Sequence, residues 1–153
     1  MVERVSAQPD VTIVRVFDAP RALVWKAWTD SSLLAQWFGP THFTNPVCEV
    51  DARTGGTMRI TMQGPDGTQY PMVAAYDEVV EPERIVWTTD VEHDGNVRFV
   101  IRQVTTFAEN GGTTEVTIRA FILRATPESD GALGGMEEGW NQSLDTLETL
   151  LAA

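Results

Sequence analysis

The sequence predicts an α+β fold: a curved antiparallel sheet of about six to seven strands wrapped around one long C-terminal helix, with two short helices after the first strand. Three observations predict it. The middle of the chain is a series of alternating, β-branched segments separated by tight turns, and such short connections require antiparallel neighbours. Apolar residues near the C-terminus instead step by three or four, the period of a helix. The one-sided apolar face of the sheet needs a cover, and that last helix is the only predicted element long enough to supply it.

Val11 to Phe17 alternates and reads as the first strand. Ala19-Pro20 starts a helix carrying Val24, Trp25 and Trp28, with proline at its first position. Thr29-Asp30-Ser31-Ser32 ends that helix and caps a second one, which bears Leu33, Leu34 and Trp37 and stops at Gly39-Pro40. Val47 to Asp51 is a short strand, followed by Thr54-Gly55-Gly56. Met58, Ile60 and Met62 alternate with polar residues in the next strand. The Gly64-Pro65-Asp66-Gly67 turn leads into a strand over 69–80. Ile85, Trp87 and Thr89 point one way on the strand after Glu81-Pro82-Glu83, and His93-Asp94-Gly95-Asn96 turns the chain again. Val97 to Phe107 and Thr113 to Leu123 form a hairpin about Asn110-Gly111-Gly112. Pro127 to Gly131 approaches the final helix, whose stripe is Leu133, Met136, Trp140, Leu144, Leu147 and Leu151.

Length and charge bound the function. The 153 residues suit one domain, expected to span 1–153, large enough to fold without a disulfide or a metal. With 22 acidic against 11 basic residues the net charge is −11, a surface that repels nucleic acid and anionic lipid; neither is an expected partner. No apolar run spans a bilayer, and the first residues lack the pattern of a signal peptide, so a cytoplasmic location is expected. A homodimer is left open. Cys48 is the single cysteine and the two histidines, His42 and His93, fall on different segments, so no metal site and no cofactor are expected.

The residues also carry a family resemblance. Segments 19–30 and 33–40 look like the first two helices of START-like proteins (the SRPBCC superfamily), whose fold is the helix-grip. Asp51-Ala52-Arg53-Thr54-Gly55-Gly56-Thr57, the hairpin from Glu78 to Thr88, and Gly139-Trp140 followed by Leu144, Leu147 and Leu150 are similar to the branch named after the C-terminal domain of the activator of heat-shock-protein-ninety ATPase. The resemblance covers about residues 10–152. It implies a cavity between sheet and helix. Relatives include lipid and hormone carriers, cyclases, dehydratase-like enzymes and co-chaperone domains, so the fold alone fixes no activity.

No nucleophile motif, P-loop or dinucleotide fingerprint occurs, and no catalytic constellation is identifiable. Isolated candidates remain. His42 follows Trp37-Phe38-Gly39-Pro40 at the expected mouth of the cavity and could serve as acid or base; the plainer reading is a loop histidine. Tyr76 could donate a phenolic hydroxyl or simply pack. Glu137 could be a base if burial raised its pKa, but reads more simply as a solvated helix face. Cys48 reads as a small core residue, and Arg98 with Arg102 as an outer sheet face.

Five tryptophans, six phenylalanines and five methionines are many large side chains for this length. Those expected on the cavity are Met58, Met62 and Met72, with Tyr76, Trp87 and Phe99 from the later strands. Phe38 is expected at the mouth, and Met136 and Trp140 on the helix. Gly139, beside Trp140, suggests a close approach to the helix. The leading functional expectation is binding of a small hydrophobic or aromatic molecule. A cyclase- or lyase-like enzyme and a co-chaperone-like interaction domain are the alternatives.

Overall fold

The computed structural model describes residues 2–3, 8–93, 96–125 and 135–152. Within these the elements are β1 (Val2–Glu3), β2 (Val11–Phe17), α1 (Arg21–Thr29), α2 (Ser31–Trp37), β3 (Thr44–Val50), β4 (Thr57–Gln63), β5 (Gln69–Val80), β6 (Arg84–His93), β7 (Asn96–Asn110), β8 (Thr113–Ala125) and α3 (Met136–Ala152). The strands form an open curved antiparallel sheet in the order β1-β8-β7-β6-β5-β4-β3, with β2 also paired to β8. The α+β helix-grip architecture expected from the sequence is what the chain adopts.

Local chemistry explains the elements. In β2 only Ile13 and Phe17 are buried, the alternation of a half-buried strand. Pro20 is the cap of α1 rather than its first residue, and its own carbonyl accepts from Leu23 and Val24. No side chain of Pro20 can cap the helix, and the carboxylate of Glu109, from β7, accepts from the Arg21 N–H at 2.9 Å instead. Asp30 caps α2 as its sequence position suggested: Oδ1 accepts from the Ser32 and Leu33 N–H groups, and these bonds with the Ser32 hydroxyl hold its carboxyl below the usual range. Gly56 ends the loop before β4 where the chain runs against itself. A Cβ there would lie 2.0 Å from the Asp51 carbonyl, so only glycine fits.

The core lies between the concave sheet face and the helices. Leu144 and Leu147 of α3 are fully buried beside Phe17, Leu34 and the Trp28–Trp37 pair. α3 packs on α1, α2 and β2, and Arg15 of β2 holds it through Asp145 at 2.8 Å and Asn141 Oδ1 at 3.2 Å. The first part of α3 stands away from β4–β7, and a gap opens there. The expected approach segment 127–131, Leu133 and the Asp94-Gly95 turn lie outside the described residues.

Candidate functional site

A cavity of about 490 Å³ fills that gap. β6 and β7 supply its floor through Trp87, Thr89, Phe99, Ile101 and Gln103. Met62 of β4 and Met72 of β5 form one side. Met136, Gly139, Trp140 and Ser143 of α3 form the roof, and the segment from Phe38 to Phe43 borders the mouth.

The mouth is built by ties between this segment and α3. Ser143 Oγ accepts from the Gly39 N–H at 3.0 Å and lies within reach of the carbonyls of Gly39, at 3.0 Å, and Gly139, at 3.1 Å. The Thr41 N–H donates to Gln142 Oε1 at 3.0 Å. Gly39 has φ +105, and a Cβ there would be strained and 3.2 Å from Met62 Sδ. Phe43 and Tyr70 meet across the rim with ring centroids 5.9 Å apart.

Trp140 is the hinge between core and cavity. One face stacks on fully buried Trp28, with centroids 5.6 Å apart and an 11° interplanar angle, and Phe38 meets it edge-on at 5.6 Å. Its stripe position makes it core-facing, and the gap behind it makes it a cavity wall as well.

The structure brings Phe38, Met62 and Met72 together with Trp87, Phe99, Met136 and Trp140 at this cavity. Met58 and Tyr76 are not there. Met58 is fully buried in the core, and Tyr76 is buried beside its cross-strand partner Trp87, the rings edge-on at 6.2 Å. Burial first, and then the charges of Cys48 and Asp51, push the Tyr76 phenol up, so it stays protonated near neutrality. His42 has a left-handed backbone, φ +72, and is exposed outside the lining; Glu137 is exposed on α3. Gly139 marks no close approach: a Cβ would meet only Pro40 Cγ, at 3.9 Å. Cys48 is half-buried against the core, where burial pushes its thiol up, and Arg53 pairs with Asp51 at 2.9 Å instead. Arg102 is on the outer face near Asp77, at 3.8 Å.

Sequence reasoning missed Thr89, Gln103, Phe43 and Tyr70. The first two share the inward phase of Trp87 and Ile101, and that alternation was the available signal. Among the described residues the lining holds no Asp, Glu, Lys, Arg, His or Cys, and no cluster of His, Cys, Asp and Glu fit to hold a metal ion occurs. No helix among them is long and apolar enough to cross a membrane.

Solved structures share this architecture. Protein NE0264 from Nitrosomonas europaea is 29% identical with a TM-score of 0.80, covering 97% of each chain. Protein Ms6760 from Mycobacterium smegmatis is 29% identical with a TM-score of 0.77, covering 92% of this chain and 88% of that one. Protein CV1439 from Chromobacterium violaceum is 28% identical with a TM-score of 0.78, covering 94% and 96%. No protein of curated function matches. The family model described as "Activator of Hsp90 ATPase homolog 1-like protein" matches residues 18–152, so the chain belongs to this family of START-like domains.

Proposed function

We propose that the protein binds a small hydrophobic or aromatic molecule in the cavity between α3 and the sheet. One observation carries this reading: an apolar, aromatic-walled cavity of about 490 Å³, inside the ~300–1,000 Å³ range of small-molecule sites. Aromatic rings and methionines suit an irregular apolar guest, because thioethers are flexible and polarizable. The lining favours binding over acid–base catalysis. Tyr70, at the rim, is the one titratable side chain on it among the described residues.

Titration with the uncharged probe N-phenyl-naphthylamine tests the reading. It is expected to quench tryptophan emission through Trp87 and Trp140 and to raise the melting temperature, since a ligand at about 100 times its Kd adds ~2.7 kcal/mol. Trp140→Ala is expected to weaken the probe and to destabilise less than Trp28→Ala, for which a fully buried tryptophan gives about 3–5 kcal/mol. A probe that alters neither emission nor melting sinks the reading. The family description supports a second reading, stimulation of a chaperone ATPase. An Hsp90 ATPase rate unchanged by added protein would dispose of it.

A further inference from the structure

Resting on that ligand-binding reading, we propose that the guest is uncharged and carries one hydrogen-bonding group, a hydroxyl or a carbonyl, seated against Thr89 and Gln103 on the cavity floor. Thr89 is 6% exposed, lines the cavity, and its Oγ1 is shut off from solvent with no hydrogen-bond partner among the described residues. Buried hydroxyls normally have a partner. Three other side-chain atoms in this state, Trp28 Nε1, Asn45 Oδ1 and the Tyr76 hydroxyl, lie off the cavity; Thr89 is on its wall.

Gln103 is the diagonal neighbour. Thr89 of β6 pairs with Ile101 of β7, and Trp87 pairs with Gln103, so the two polar side chains share the inner face about 7–8 Å apart along the backbone. Gln103 is 3% exposed, and one amide N–H donates to Thr105 Oγ1 at 3.2 Å. That bond engages one of its two N–H donors and fixes the carboxamide plane. A hydroxyl on one strand and a carboxamide on the next can between them donate and accept, which matches a hydroxyl or carbonyl equally.

The rest of the wall narrows the class. Ser143 Oγ is committed to Gly39 and Gly139, and the half-exposed Tyr70 stands at the rim. No cation among the described lining residues can pair with a carboxylate, sulfate or phosphate. An ionised group taken unpaired into an apolar site carries a desolvation cost that apolar contact does not offset. Fatty acids and other amphipathic anions therefore fit poorly. Neutral phenols, alcohols and ketones with an apolar body fit well.

Calorimetric titration near neutral pH with naphthalene, naphthol and naphthoate separates the outcomes. The wild-type protein is expected to bind naphthol about three- to tenfold tighter than naphthalene, the gain of one net hydrogen bond. Naphthoate should bind at least about a hundredfold more weakly than naphthol. Thr89→Val, of nearly the same shape, should abolish the preference for naphthol and leave naphthalene unchanged, whereas Thr89→Ser should keep it. Should Thr89→Val fail to fold, Gln103→Leu is expected to reduce the same preference. Equal affinities for naphthol and naphthalene in the wild type, or an unchanged preference in Thr89→Val, would overturn the polar seat while leaving apolar binding intact. Naphthoate binding as tightly as naphthol would overturn the claim of an uncharged guest. Binding of none of the three would overturn the ligand-binding reading itself.

Discussion

Tyr76 illustrates how one enclosed polar atom acts on the whole chain. It is 1% exposed, and its hydroxyl has no partner among the described residues. A phenolate at this place would lose its hydration and face the charges of Cys48 and Asp51, so the folded-state pKa lies above the ordinary value. The sign follows from linkage. The unfolded chain releases this proton near pH 10, but the folded chain holds it. The contribution to stability is present in full below about pH 10 and is lost progressively as pH rises from there through the raised folded value. Tyr76→Phe removes both the titration and the unpartnered hydroxyl. Its neutral-pH stability is expected to equal or exceed that of the wild type, by up to the ~1–3 kcal/mol of an unmet buried donor. Its stability should also fall less steeply above about pH 10. Denaturant unfolding at neutral and alkaline pH checks both, and a mutant clearly weaker at neutral pH would show that the hydroxyl is satisfied.

At the scale of elements, α3 serves two purposes with one stripe. Its C-terminal half seals the core through Leu144 and Leu147, and its N-terminal half roofs the cavity. Gly139 lies in the roof with room for a methyl group, its Cβ position 3.9 Å from Pro40 Cγ. Glycine inside a helix costs roughly 0.5–1 kcal/mol against alanine. Gly139→Ala is expected to recover about that much stability and, because the residue lines the cavity, to weaken N-phenyl-naphthylamine. A mutant melting lower than the wild type would refute the first expectation. Glycine at this position reported a gap and not a contact, and its low helix propensity says nothing about which. The strands were legible because each carries its own period: the reading of 69–80 coincides with β5. β3 begins earlier than Val47 because Thr44-Asn45-Pro46 lacks alternation, and the proline is tolerated on an edge strand paired with β4 alone. Inward phase was legible for Met58, Tyr76 and Trp87 alike. Whether an inward side chain meets core or cavity depends on how far α3 stands from that point of the sheet, a non-local distance that alternation does not encode. Thr89 shares the face of Ile85 and Trp87 in the sequence itself, but nothing local shows that it and Gln103 face a gap.

At the scale of the molecule, a net charge of −11 surrounds a cavity wall that is uncharged among the described residues. Two different effects then oppose an anionic guest. Surface repulsion slows its approach and is screened by salt, with a Debye length of about 8 Å at physiological ionic strength. The unpaired burial of its charge inside the cavity lies beyond the reach of mobile ions and is hardly screened. Salt therefore separates them. Raising the salt from about 0.01 M to about 0.5 M is expected to raise the melting temperature of the free protein, by relieving self-repulsion among its 22 carboxylates. The affinity for naphthol should hardly change, since a neutral guest feels neither effect. The affinity for naphthoate should improve only a few-fold, leaving most of the expected hundredfold deficit in place. Were salt to bring naphthoate level with naphthol, the discrimination would belong to the acidic surface and not to the cavity wall, and the uncharged character of the guest would have to be argued from somewhere other than the floor of the site.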